Sequence, residues 1–136
     1  MRLQKFFFFL ILIAGTLTAC NSIAQQSANL SVTDFEKGIK QKNVQVLDVR
    51  TPGEYQSGYI KNALLADWMN QPDFTKKVQS LDKNKAVYTY CLVGGRSGAA
   101  AKWLTEKGFN VYNLEGGITA WKKAGKSVED GSNKTK

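Results

Sequence analysis

Histidine is absent from this 136-residue chain, and cysteine occurs only twice, as Cys20 and Cys91. Without an imidazole, Ser-His and Cys-His nucleophile pairs and histidine-ligated metal sites are excluded, so a reactive thiol here must be ionised by its surroundings. The pattern contains no internal repeat and no second domain. The formal charge is +8, but the lysines are scattered over helix faces and the tail, with no clustered stripe interleaved with aromatics, so no nucleic-acid partner is expected. The one intensely apolar run, residues 6–12, is too short and too soon followed by polar residues for a membrane span.

What is present is organised around residues 86–104, AVYTYCLVGGRSGAAAKWL. Residues 86–90 have strand character, residues 97–104 are alanine-rich with an apolar face at Ala100, Trp103 and Leu104, and only Cys91 to Arg96 separates them. The pattern predicts a strand, a tight loop and a helix capped at Ser97. Gly94 and Gly95 let the backbone curl so that successive N–H groups point inward, and the helix start adds its unpaired N–H groups and positive dipole end. Leu92, Val93, Gly94, Gly95 and Ser97 thereby line an anion cradle with Cys91 at its floor, where the helix N-terminus and Arg96 both favour a thiolate. The alternative is a buried structural cysteine ahead of an ordinary turn.

Residues 1–20 carry the marks of an export signal: Arg2 and Lys5, then the apolar run, then the small residues Thr18 and Ala19. Leu17-Thr18-Ala19-Cys20 also resembles a bacterial lipobox. That resemblance implies a lipoprotein whose first mature residue is an acylated Cys20, tethered to the membrane at the cell envelope. Asn21 in the next position favours the outer membrane of a two-membrane host. With Cys20 acylated, Cys91 has no disulfide partner within the chain. Loss of Arg2 and Lys5 takes the formal charge from +8 to +6. Residues 21–29 read as a polar tether, 30–126 as one domain with enough chain for a single core, and 127–136 as a polar tail.

Within the domain, Thr33 and Glu36 have capping-box spacing and predict a helix to about Lys40. Residues 44–49 read as a buried strand, and Thr51, Pro52 and Glu54 as a second capping box with proline at the first helical position. Strands are predicted at 63–66 and 111–114, and helices at 72–81 and 118–123, with Gly108 as a helix stop. This alternation argues for an α/β domain with a mainly parallel sheet and helices on both faces. Ligands in such sheets bind at the carboxyl ends of the strands, where Cys91, Asp48 and Glu115 converge. Asp48 and Arg50 read as support that pairs on burial, Glu115 as weaker support, and Trp68, Trp103 and Trp121 as core or rim aromatics.

Three segments together resemble the rhodanese-like sulfurtransferases. The loop Cys91-Leu-Val-Gly94-Gly-Arg96-Ser97 is similar to their active-site loop, Asp48-Val-Arg50-Thr-Pro-Gly-Glu54-Tyr55 with Gly58-Tyr59-Ile60 to their amino-terminal signature, and Leu114-Glu115-Gly116-Gly117 with Trp121 to their carboxy-terminal one. Tyr59 stands where the family usually has histidine, and Asn62 where a glycine follows. The resemblance implies a single rhodanese-like domain in which Cys91 takes sulfane sulfur from thiosulfate or a persulfide, carries it as Cys91 persulfide, and gives it to a thiol or cyanide. Arg96 would orient an anionic donor or stabilise the departing anion, and no metal or organic cofactor is needed. Leu92 occupies a position that is basic in many thiosulfate-using members, which makes a persulfide the better-matched donor. Related phosphatases and arsenate reductases enclose five residues between cysteine and arginine, and this loop encloses four. A non-catalytic tethered binding or sulfur-carrier module is the other alternative, although inert members typically lose the cysteine.

Overall fold

A computed structural model describes residues 27–131. Five strands and five helices alternate along the chain: β1 (Ser27–Leu30), α1 (Val32–Ile39), β2 (Val44–Asp48), α2 (Pro52–Gln56), β3 (Ala63–Leu65), α3 (Gln71–Val78), β4 (Ala86–Tyr90), α4 (Gly95–Glu106), β5 (Val111–Leu114) and α5 (Gly117–Lys123). The strands form one sheet in the order β1-β5-β4-β2-β3, parallel throughout.

Strand periodicity divides the core between the two faces of the sheet. Leu47, Val87 and Val111 point to one face, where Phe74 and Val78 of α3 and Ala100, Ala101 and Leu104 of α4 cover them. Val46, Tyr88 and Leu114 point to the other, against Phe35 of α1, Tyr55 of α2, and Ile118 and Trp121 of α5. Each face has an aromatic centre. Phe74 meets Trp68 and Trp103 edge-on at 4.9 and 5.5 Å, and Phe35 meets Tyr88 and Trp121 edge-on at 5.4 and 6.2 Å. Trp121 is therefore a core residue, while Trp68 and Trp103 sit half-buried at the margin.

Several predicted boundaries move. The polar segment predicted as a tether up to residue 29 ends earlier, because Ser27–Leu30 pairs with Val111–Leu114 as an edge strand. Its alternation of polar and small side chains suits an edge position, exposed on one side. Helix α1 begins before Thr33: Ser31 is the cap, accepting from the Asp34 N–H at 3.2 Å, and the Thr33/Glu36 spacing is not used as a box. Helix α3 runs from Gln71 to Val78 under an Asn70 cap, shorter than predicted. The tail is anchored as far as the described residues extend, since Tyr59 and Glu129 exchange backbone hydrogen bonds of 3.0 and 2.8 Å and Trp121 donates to the Ser127 carbonyl. The export signal, lipobox and Cys20 lie outside the described residues, and among the described residues no helix is long and apolar enough to cross a membrane.

Phe35 is fully buried and meets both Tyr88 and Trp121 edge-on, so Phe35→Ala removes a ring the neighbours cannot replace. Urea unfolding should show a loss of about 3–5 kcal/mol with an unchanged denaturant slope.

Candidate active site

The parallel register brings the carboxyl ends of β2, β4 and β5 to one edge of the sheet, and the segments leaving them are tied sideways. The Val49 N–H donates to the Tyr90 carbonyl at 3.1 Å, the Ala66 N–H to the Asp48 carbonyl at 2.9 Å, and the Trp68 N–H to the Val49 carbonyl at 3.2 Å. Asp48 and Arg50 form a buried ion pair here, with Arg50 Nε 2.9 Å from Oδ1 and Nη2 2.6 Å from Oδ2 of Asp48. Arg50 Nη2 also donates to the Gly58 carbonyl at 2.8 Å, which fixes the turn after α2. The Tyr90 ring lies under the Arg50 guanidinium, and its hydroxyl accepts from the Ile60 N–H; burial and then the neighbouring Asp48 charge push the Tyr90 phenol well above its ordinary range. This pair is scaffolding beneath the loop and makes no contact with the Cys91 sulfur.

The loop turns around Cys91, which is only 1% exposed. Its carbonyls are drawn outward: Cys91 O accepts from the Ile118 N–H at 2.9 Å and Leu92 O from the Thr119 N–H at 3.1 Å. With the carbonyls held by the first turn of α5, the amides face the sulfur. Cys91 Sγ accepts from the Gly94 N–H at 3.1 Å and from the Ser97 hydroxyl at 3.3 Å. Burial pushes the Cys91 thiol up, but the Ser97 hydroxyl and the amides of Ser97, Gly94 and Val93 outweigh it and bring the thiol below its ordinary value. The close approach explains a glycine: at Gly117, φ is +59° and a Cβ would meet the Leu92 and Cys91 carbonyl oxygens at 2.5 and 2.6 Å.

The helix cap is Gly94, in the left-handed region at φ +106°, and not Ser97, because α4 starts at Gly95 and takes Arg96 and Ser97 into its first turn. That places the Ser97 hydroxyl under the sulfur. Arg96 points to Glu54 and closes a two-pronged ion pair, Nη1 to Oε2 at 2.8 Å and Nη2 to Oε1 at 2.7 Å. Glu54 also completes the predicted capping box on Thr51, accepting from its N–H and hydroxyl at 3.0 Å. The Arg96 hydrogen bonds, opposed by burial and helped by Thr51, hold the Glu54 carboxyl down at about 2. The sequence places Glu54 in the capping box and in the amino-terminal signature, and gives no sign of its pairing with Arg96, 42 residues away.

Most of the Arg96 charge is taken up by Glu54; the Cys91 thiolate and the guanidinium still favour each other, while the Ser97 hydroxyl and the loop amides act on the sulfur directly. Glu115 does not join the site. Its carboxylate is exposed, and only its N–H is used, donating to the Leu30 carbonyl of β1. Leu92 and Val93 face outward at 43% and 64% exposure, forming an apolar rim. Among the described residues no group of three or more acidic or thiol side chains is placed to hold a metal.

The description "Rhodanese-like domain" matches residues 31–124. The chain belongs to the rhodanese-like family. Its rhodanese-like domain superposes on a rhodanese-related protein from Thermoplasma volcanium with a TM-score of 0.67 and 31% identity, covering 75% of this chain and 97% of that one. A rhodanese-like domain protein from Staphylococcus aureus gives 0.64 and 33%, covering 75% and 96%. The polysulfide-sulfur transferase homodimer of Wolinella succinogenes gives 0.64 and 30%, covering 81% and 83%. Among curated relatives, the tRNA uridine(34) hydroxylase of Cytophaga hutchinsonii is 36% identical over 110 residues, which is 79% of this chain and 35% of that protein. The chain thus spans about a third of the length of the curated relatives it matches. At the two positions where the sequence departs from the pattern it resembles, Tyr59 stacks on Tyr55 at 4.2 Å and donates its hydroxyl to Glu129 at 3.1 Å, and Asn62 takes a φ of +65° that asparagine tolerates.

Removing the Ser97 hydroxyl withdraws a donor that favours the thiolate, so Ser97→Ala should raise the Cys91 pKa. Ultraviolet titration of thiolate absorbance checks this in a Cys20→Ala chain, where Cys91 is the sole thiol. The unsubstituted Ser97 chain should ionise below the ordinary thiol range and Ser97→Ala at higher pH.

Proposed function

We propose that this domain moves sulfane sulfur by way of a persulfide on Cys91. The observation that carries the reading is the arrangement around the sulfur, a thiol held below its ordinary pKa by the Ser97 hydroxyl and three inward-facing amides with no base in contact. The thiolate attacks the sulfane sulfur of a donor, the rest of the donor departs, and the same amides solvate the terminal sulfur anion of Cys91–S–S⁻ as an oxyanion hole solvates oxygen. A nucleophilic acceptor, a thiol or cyanide, then removes that sulfur and regenerates the thiolate. Arg96, held at the rim by Glu54, supplies N–H groups to the departing anion. The likeness to the Wolinella polysulfide-sulfur transferase supports this reading. The hydroxylase activity in the names of the longer relatives belongs to proteins of which this chain matches a third.

Loop size favours sulfur over a tetrahedral oxyanion, since four residues separate Cys91 from Arg96 and the two ends are closed by Gly94 and Ser97 contacts to one atom. The full-length protein should form thiocyanate from a sulfane donor and cyanide and show no Cys91-dependent phosphate-ester hydrolysis. Cys91→Ser should lose both turnover and the mass gain of one sulfur, because no base is present to ionise a hydroxyl. Arg96→Ala should slow single-turnover loading by roughly 10²–10³, with Arg96→Lys recovering part of it. Loading of Cys91→Ser at the unsubstituted rate would remove the mechanism, and phosphatase activity would replace it.

We also infer from the Leu17-Thr18-Ala19-Cys20 segment that the domain is tethered through an acylated Cys20 at the cell envelope and, in a two-membrane host, at the outer membrane given Asn21. Labelled palmitate should enter the full-length protein and not Cys20→Ala, and equal labelling would dismiss the anchor.

A further inference from the structure

We propose that the mouth over Cys91 selects an apolar organic persulfide bearing at most one negative charge and disfavours small dianions such as thiosulfate, with Glu54, Asp67, Leu92 and Val93 setting that preference. The inference rests on the sulfur-transfer reading above and narrows its donor.

Charge at the rim does not favour an anion. Both terminal nitrogens of Arg96 engage Glu54, so the cation nearest the loop is matched by a carboxylate. A second carboxylate stands behind it. Asp67 is 8% exposed on the segment leaving β3, which the Ala66 and Trp68 amides fasten to Asp48 at the end of β2 and to Val49 after it. Its Oδ1 is fixed by the Met69 N–H at 2.9 Å, and its charge reaches Arg96, adding to the rise in the guanidinium pKa that comes first from Glu54 and then from the Cys91 thiolate. Arg50, the next cation, is buried against Asp48. Two carboxylates thus act on one guanidinium, before the thiolate itself is counted. A dianion approaching the thiolate meets like charge, a repulsion that added salt screens.

Shape and polarity point the same way. Leu92 and Val93, the two loop side chains most turned to solvent, are branched aliphatics 43% and 64% exposed beside a cysteine that is 1% exposed. Three clefts of about 360–450 Å³ are lined by residues outside the loop, such as Trp103 and Phe109 in one and Val44 and Leu81 in another. A donor therefore finds an apolar collar leading to a ring of amides wide enough for one sulfur, and an apolar group on the donor has that collar to cover.

The step is balanced as follows. The Cys91 thiolate attacks the terminal sulfur of R–S–SH, a Cys91 S–S bond forms, the donor S–S bond breaks, and its electron pair leaves on R–S⁻. The persulfide proton passes to that thiolate, giving R–SH and Cys91–S–S⁻, with one sulfane sulfur moved and no external oxidant or reductant.

Loading of the full-length protein by benzyl persulfide and by thiosulfate, followed at the Cys91 peptide by mass, tests this. The thiosulfate rate should rise with added potassium chloride while the benzyl persulfide rate changes less than twofold. Asp67→Asn keeps the acceptor for Met69 and removes the charge, and should raise the thiosulfate-to-persulfide rate ratio at low salt by about threefold to tenfold. Leu92→Ser should raise the same ratio by weakening the persulfide. A thiosulfate rate that falls or stays flat with salt, or ratios unmoved in both variants, would overturn the proposed preference and leave sulfur transfer standing. Absence of a sulfur adduct from either donor would overturn the sulfur-transfer reading itself.

Discussion

Two backbone hydrogen bonds decide the chemistry of this domain. The Ile118 and Thr119 amides take the carbonyls of Cys91 and Leu92, and a peptide unit whose oxygen is held outward presents its neighbouring N–H groups inward. The sulfur is then surrounded by donors without any donor side chain except Ser97. The same contact dictates Gly117, since any Cβ there would collide with the two carbonyls it serves. It also makes α5 part of the site, although none of its side chains touches the sulfur.

A second layer of charge holds this arrangement in register. The Asp48–Arg50 pair lies entirely within the protein, satisfied by the Gly58 carbonyl and stacked against Tyr90, and it ties the end of β2 to the turn that follows α2. Charges buried so completely are costly to bring in and costly to leave unmatched, which makes them better at fixing geometry than at adding stability. Glu54, on the short helix positioned by that turn, then reaches across to Arg96. The rim is thus connected to the sheet through a chain of ion pairs, each partner positioned by the previous one.

Much of this was legible in the residue order. The buried strands, the strand–loop–helix unit around Cys91 and the Thr51/Glu54 capping box are local patterns, and the structure forms all three, with the helix after Cys91 starting at Gly95 under a Gly94 cap. What escaped was non-local or a matter of two or three residues in the placing of a cap. Thr33 looked like a cap because its spacing to Glu36 was right, yet Ser31 with Asp34 offers the same chemistry two residues earlier and follows the strand directly. Ser27–Leu30 carries no apolar run, and its strand character comes wholly from β5, more than eighty residues on. Arg96 looked free because the sequence gives no distance to Glu54. A spare charge in a motif is legible, but its partner is a tertiary fact.

The pairing of β1 with β5 has a temporal side. Along the sheet, Val46 of β2 pairs with Ala63 and Val44 with Ala86, whereas Ser27 must wait for Val111, twice as far along the chain as Ala86 is from Val44, before it has a strand neighbour. A chain emerging from its amino terminus therefore holds its first strand unpaired until its last one exists, and closing that long loop carries an entropy cost that local contacts do not. The same late event delivers Gly116 and the first turn of α5, whose amides shape the cysteine loop. An incomplete chain would thus carry the cysteine without the ring of amides around it, and the thiol would acquire its altered acidity only when synthesis of the domain is finished.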